Sequence, residues 1–217
     1  MKVFFKAIRD SNIDKVINYL EKKPELANAI SKTLPKKDDG QSALQVAFKT
    51  NNIDIAKILI DANANINYID KSDINNWNLP VFHDFLRALV FSVSKSEEEY
   101  LKKIKMFKYL LSKNIDITQC DSYNNNSLVR LVLDTDQVYQ YQHKVFWDTD
   151  LGEKIFSDKD RDKSIESRLR TIYKLLLENY TISTVAKEKL IKELRSSDFY
   201  KASKIDTFSV DLINELL

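Results

Sequence analysis

The sequence predicts an all-α chain built as a solenoid of stacked helix pairs with finger loops, four to five units long including terminal caps. Three observations predict it. The string Asn12-Ile13-Asp14 returns as Asn52-Ile53-Asp54 inside two longer stretches of matched apolar spacing, Ala7 to Leu20 and Ala47 to Ile60, and recurrence of this kind is the signature of repeat architectures. Three apolar helices, ending in Ile58-Leu59-Ile60, Tyr109-Leu110-Leu111 and Leu175-Leu176-Leu177, are each followed by a polar stretch. Asn65-Ile66-Asn67 and Asp116-Ile117-Thr118 sit at matching distances from the first two, with Asp70 and Asp121 downstream. Composition completes the case: 43% apolar and 30% charged residues among 217, with only 2 Gly and 3 Pro, exclude the disordered, collagen-like and disulfide-scaffold classes.

The elements follow in order within a single domain, 1–217. Residues 1–35 form an N-terminal cap unit, a helix pair from Phe4 to Ala27 that ends in Lys22-Lys23-Pro24-Glu25-Leu26. Residues 36–70 form the clearest repeat. Its first helix opens Ser42-Ala43-Leu44-Gln45, a Ser-x-x-Gln capping box in which hydroxyl and amide each satisfy an orphan N–H. Its second helix carries Ile55, Ile58, Leu59 and Ala62 as one apolar stripe, with Asn51 or Asn52 as the cap and Asp54 at the positive end of the dipole. Residues 71–120 form a repeat with an insert: Ser72 to Asn78 lengthens the finger before Pro80 and carries Trp77, and extra residues near Phe91 to Tyr100 lead to Glu97-Glu98-Glu99 at the second helix. Residues 121–184 form a repeat with a long polar, aromatic insert at 136–165, of a length uncommon for loops in compact domains. Residues 185–217 supply C-terminal capping helices, with Leu190, Ile191 and Leu194, then Val210, Ile213, Leu216 and Leu217, at helical spacing. A two-helix unit cannot bury its apolar face alone, so stacking on neighbours is required.

The residues carry a resemblance. Gly40-Gln41-Ser42-Ala43-Leu44-Gln45-Val46-Ala47 looks like the ankyrin motif G-x-T-P-L-H-x-A, and Asn51 to Ala56 through Asn63 to Asn67 resembles its G-H-x-E-I-V and G-A-D-V-N segments. Asp121 to Leu128 is similar to D-x-x-G-x-T-P-L, whereas Leu79-Pro80-Val81-Phe82 keeps Pro but has Leu for Thr and Phe for His. The resemblance covers residues 4 to about 182. It implies a module that binds a partner protein through finger tips and the concave face of the first helices. Carried onto this sequence, the variable finger places are Asp39, Gln41, Ser122, Tyr123 and Asn125. Those at the first-helix ends are Lys49 and Thr50, Leu86 and Arg87, and Leu133 and Asp134. Trp77 and the insert aromatics Tyr139, Tyr141, Phe146 and Trp147 add hot-spot residue types. The expected partner-binding set is Asp39, Gln41, Lys49, Trp77, Arg87, Tyr123, Asn125, Asp134, Tyr141 and Trp147. Abundant Lys, Asn and Ile is what AT-rich codons give, and it looks like a divergent bacterial member of the family. Small cytoplasmic bacterial proteins of this kind include immunity proteins that block a cognate toxin.

No catalytic constellation is readable, and no metal or cofactor is expected. Asp158-Lys159-Asp160-Arg161-Asp162 imitates the start of a calcium loop but has Lys163 at the glycine place and Leu169 at the closing-glutamate place, which a calcium loop does not tolerate. His83 and His143 have no partners at ligand spacing, and Cys120 has no basic neighbour in sequence to activate it. The alternative class is a metal-dependent or hydrolytic activity housed in 136–165, motivated by its acids, His143 and aromatics. One cysteine forms no internal disulfide, so a reducing, cytoplasmic setting is the expectation. Net charge of +2 with interspersed signs recruits neither nucleic acid nor an anionic membrane, and a monomer is expected. Finally, Asn63, Asn114 and Asn124 stand where the family uses Gly for left-handed backbone, and Asn is the next-best residue there.

Overall fold

Helices start where the sequence places its caps. In this computed structural model the backbone is described for residues 1–32, 36–72, 74, 77–148, 159–180, 188 and 208–216, and side chains among these outside 139–148, 159–162, 208, 210, 211 and 214. Packing groups the chain into two compact units, Met1–Arg130 and Leu131–Leu217, where the sequence was read as one domain.

The first unit contains α1 (Lys2–Arg9), α2 (Ile13–Lys22), α3 (Ala43–Lys49), α4 (Ile53–Asp61), α5 (Val81–Val90) and α6 (Glu97–Ser112). First helices pack on first helices, α1 on α3 and α3 on α5, while second helices pack on second helices, α2 on α4 and α4 on α6. This is the stacking of an all-α repeat. Phe48, Phe82, Phe85 and Phe107 form an aromatic core across α3, α5 and α6, with ring centroids 5.1–6.0 Å apart, and each of the four is buried.

The capping box of α3 forms as read: the Ser42 N–H donates to Gln45 Oε1 at 3.0 Å, and the Gln45 N–H donates to Ser42 Oγ at 3.2 Å. At α4 the expectation is only half met. Asn52 is the N-cap residue but its side chain makes no cap bond. Its Nδ2 donates instead to Ile8 C=O at 2.7 Å, and its Oδ1 accepts from the Ser11 hydroxyl. Tying the repeat to the preceding one therefore outcompetes local capping.

Asparagine takes glycine's place at most left-handed positions among the described residues, the others being Ser11 (φ 55°) and Gly40 (φ 75°). Asn51, Asn63, Asn78, Asn114 and Asn124 all have φ between 45° and 62°, the left-handed region that branched side chains avoid. Asparagines also lace successive repeats: Asn28 Oδ1 accepts from Asn65 N–H at 2.7 Å, and Asn67 Oδ1 accepts from Asp116 N–H at 2.8 Å. Asn63 has φ of 62°, so Asn63→Gly is neutral or slightly stabilising, whereas Asn63→Val costs about 1–2 kcal/mol. Equal denaturation midpoints for the two variants would contradict the left-handed assignment.

The second unit holds most of α7 (Ser127–Asp148), with α8 (Lys159–Glu178) and α9 (Phe208–Leu216). Of the insert expected at 136–165, residues 136–148 are helical in α7 and 159–165 in α8, while 149–158 lie outside the described residues. Tyr173 is fully buried, and its hydroxyl bonds Thr135 Oγ1 at 3.2 Å and Ser209 Oγ at 2.9 Å. Of the C-terminal spacing, Ile213 is buried on α9, while Leu190, Ile191, Leu194 and Leu217 lie outside the described residues.

Candidate partner-binding surface

Three fingers of the first unit stand side by side. At the base of the first, an isolated antiparallel bridge joins Ile30 and Ser42; a second joins Ile69 and Pro80 at the base of the next. Between these two fingers the approach is close enough to explain the one glycine of the motif. Gly40 has φ of 75°, and a Cβ there would meet the Lys71 carbonyl carbon and the Ser72 nitrogen at 2.5 Å. Ser72 Oγ donates to Asp39 Oδ2 at 2.9 Å, and Tyr68 Oη donates to Gly40 C=O at 2.8 Å. The third finger is organised by Asp121, whose Oδ1 accepts from the N–H groups of Tyr123 (2.9 Å) and Asn125 (3.0 Å). Asn125 Nδ2 donates to the other carboxylate oxygen at 3.1 Å. This third finger is joined to the second when the Ser122 N–H donates to Trp77 C=O at 2.9 Å. That bond sets Trp77 (54% exposed) beside the segment carrying Tyr123 (72% exposed). Ile74, 60% exposed, lies on the same finger as Trp77.

Below the fingers, the ends of α3 and α5 and the start of α6 enclose a cleft of about 290 Å³, adjoining a second of about 300 Å³ at Asn51, Glu99 and Lys103. Arg87 lies over the Phe91 ring, 5.1 Å from its centroid. Lys103 is 2% exposed and donates to Glu99 Oε1 at 2.7 Å. Burial depresses the Lys103 ammonium, an effect its partner opposes, whereas the Lys103 bond holds Glu99 below the usual range. Asp84, which lines the cleft, is pushed up to about 7 by burial. It occupies the place in α5 that Ala47 holds in α3, so this repeat carries a carboxyl where the motif has a methyl.

The expected site residues divide. Trp77 and Tyr123 are exposed, Asp39 and Asn125 half-buried, and Lys49 and Arg87 line the cleft. Two expectations need correction. Gln41 is 4% exposed, because its side chain is drawn inward to accept from Lys49 Nζ at 3.0 Å and to hydrogen-bond Asp70. Asp134 is 0% exposed and stands inside α7, on a buried face, where a first helix was expected to end. Neither is accessible to a partner. The side chains of Tyr139, Tyr141, Phe146 and Trp147 lie outside the described residues. Sequence reasoning missed Asp84, Glu99 and Lys103. An acid at a repeat's Ala place was the available signal for Asp84, and the Glu99-Lys103 spacing of i, i+4 was the signal for the pair.

Among the described residues, no group of three or more His, Cys, Asp or Glu could hold a metal. His83 is buried, and desolvation lowers it to about 4. Cys120 is half-buried and its thiol is raised, chiefly by burial and then by Asp121 and Asp116, opposite to an activated nucleophile. No described helix is long and apolar enough to cross a membrane.

Residues 39–71 match the ankyrin repeat family model. No curated protein and no solved structure matches this chain.

Proposed function

From the premise that this chain is a divergent ankyrin-repeat protein, we propose that it recognises a partner protein through the three laced fingers and the ends of its first helices, without catalysing a reaction. Repeats of this family are protein-interaction modules in general. The observation that carries the reading is the Ser122 to Trp77 bond, which fixes two exposed aromatics on a backbone tied to buried scaffold. Large, rigid aromatic side chains give contact area at little conformational cost, which is why they dominate hot spots. The proposed contact residues are Trp77 and Tyr123 at the tips, Asp39 and Asn125 beside them, and Lys49 and Arg87 along the cleft.

The finer reading is an inhibitory one, in which the chain acts in the cytoplasm as a monomer and blocks a toxin or effector of its own bacterial host. It is supported by the family resemblance, the Lys, Asn and Ile composition, and the single cysteine. Affinity capture from native extract, with mass spectrometry of the eluate, tests both levels. A stoichiometric protein partner is expected, and co-expression with this chain relieves its toxicity. No stoichiometric partner would overturn the binding reading; a harmless partner would overturn only the inhibitory one.

A further inference from the structure

One buried network joins the cleft to the bases of the first two fingers. From the cleft, Gln45 Nε2 donates to Asp84 Oδ2 at 3.2 Å and to Leu79 C=O at 2.9 Å. The Leu79 N–H donates to Asp70 Oδ1 at 2.6 Å, and Asp70 hydrogen-bonds Gln41. Gln41 Oε1 accepts from Lys49 Nζ at 3.0 Å, and the same ammonium donates to Lys37 C=O at 2.6 Å and to Asp38 Oδ1 at 3.2 Å. Lys49 and Asp84 line one cleft, so the network closes into a ring. Resting on the protein-binding reading above, we propose that this ring holds one shared proton in the binding-competent chain, and that losing it draws Lys49 from the first finger toward Asp84 and weakens partner binding.

Charge balance calls for that proton. Three carboxyls of the ring are buried, Asp38, Asp70 and Asp84. Asp38 takes two cations, Arg9 at 3.0 Å and Lys49 at 3.2 Å. Asp70 and Asp84 are bonded to neutral donors, Leu79 N–H and Gln41 for one and Gln45 for the other. A buried carboxylate without a cation is costly, and two that sense each other titrate as a pair. With one proton between them, the ring sets two carboxylates against two cations. Burial raises both carboxyls, Asp84 to about 7, and the Asp70 charge adds to the rise at Asp84.

Geometry assigns the moving arm. Lys49 from α3 and Arg130 from α7 favour ionised Asp84, while Asp70 from the second finger opposes it. Arg87 on the same helix, and Lys95, Glu99 and Lys103 at the start of α6, line the cleft with it, Glu99 being bonded to Lys103 at 2.7 Å. Tyr68 faces Asp70. Among these groups Lys49 is the cation that also holds the first finger, through Lys37 C=O and Gln41. Its departure releases the segment that carries the proposed contact Asp39. The proton is bound on the acid side and lost on the alkaline side, so partner binding tightens as the pH falls.

NMR of the full chain tests this, following the Asp carboxyl carbons and the backbone amides from about pH 5 to about pH 9. Gly40 and Gln41 report the first finger: the Gly40 N–H donates to Ser31 C=O at 2.8 Å and the Gln41 N–H to Asp38 C=O at 3.1 Å. Their amides and the Asp84 carboxyl are expected to share one midpoint near 7, while the amides of α2 stay still. Asp84→Asn, checked for unchanged helicity, is expected to remove the finger titration. Lys49→Met is expected to keep a carboxyl titration and lose the finger one, because the arm that transmits it is gone. A carboxyl that titrates without movement at Gly40 and Gln41 would make Asp84 a structural residue and overturn the proposal. A finger titration that survives Asp84→Asn or Lys49→Met would overturn it too. Capture from native extract separates the two levels. The unsubstituted chain is expected to hold its partner at least about fivefold tighter at about pH 6 than at about pH 8, and Asp84→Asn equally at both. Equal capture at both pH values by the unsubstituted chain overturns the regulation and leaves the protein-binding reading standing. Absence of any partner at either pH counts against the broader reading, while the amide titration still decides whether the proton acts on the finger.

Discussion

Gln45→Ala lowers the stability of the unit Met1–Arg130 by about 3 kcal/mol, read from the chemical-denaturation midpoint. Gln45 is fully buried and joins two repeats. Its Oε1 accepts from Ser42 N–H at 3.0 Å, completing the cap of α3. Its Nε2 donates to Leu79 C=O at 2.9 Å and to Asp84 Oδ2 at 3.2 Å, both in the next repeat. Alanine removes the reciprocal cap, taking the acceptor from the buried Ser42 N–H and the donor from Asp84, while the Leu79 carbonyl keeps only the Asp70 N–H at 3.0 Å. A buried polar group left without its partner costs more than the bond it lost. Gln45→Glu separates these effects. A carboxylate still accepts from Ser42 but cannot donate to Leu79, and it faces Asp84 across the same 3.2 Å gap. It is therefore expected to destabilise strongly at neutral pH and to recover as the pH falls and the pair takes up a proton. If Gln45→Ala moved the midpoint by less than about 1 kcal/mol, the inter-repeat role would be refuted.

Asp84→Asn is expected to stabilise the same unit, with a gain that depends on pH. Burial raises the Asp84 carboxyl from 3.8 to about 7, with Asp70 adding to the rise and Lys49, the Gln45 bond and Arg130 opposing it. Between those values the unfolded chain releases a proton that the folded chain keeps. Stability contributed at this site is thus complete below pH 4, falls as the pH climbs toward 7, and is flat above it, with a ceiling near 4 kcal/mol. Asparagine keeps an oxygen for Gln45 and has nothing to ionise, so the slope disappears and the gain is greatest above pH 7. Equal stability of the two proteins at pH 4 and pH 8 would show that the carboxyl is solvated in the folded state.

Much of this was legible because it is local. The Ser42-Gln45 box and the left-handed Asn63, Asn114 and Asn124 each depend on a few adjacent residues, and each was found as read. The repeat itself was legible from recurrence. The extent of α7 was not, because the repeat template suggested an end near Leu133. Yet the residues from Asp136 to Asp148 include no Gly or Pro, and nothing local interrupts the helix. The inward turns of Asn52 and Gln41 were hidden for a different reason. Asn52 is decided by partners in the preceding repeat, Ile8 and Ser11, and Gln41 by side chains further along its own repeat, Lys49 and Asp70, none of them adjacent in sequence. Of the site, the exposed Trp77 and Tyr123 could be singled out by residue type, whereas the cleft draws on segments from Phe48 to Lys103 and exists only once they stack.

The central claim is that the fingers of the first unit hold a partner protein. Parallel affinity capture with the unsubstituted chain, Trp77→Ala/Tyr123→Ala, and a control on the second helices, Lys57→Ala/Lys102→Ala, tests it most directly. The partner is expected to be captured by the unsubstituted chain and by the second-helix control, and loss of the two aromatics to reduce capture at least about a hundredfold, in line with two hot-spot truncations. Undiminished capture by Trp77→Ala/Tyr123→Ala, or loss confined to the second-helix variant, would contradict it.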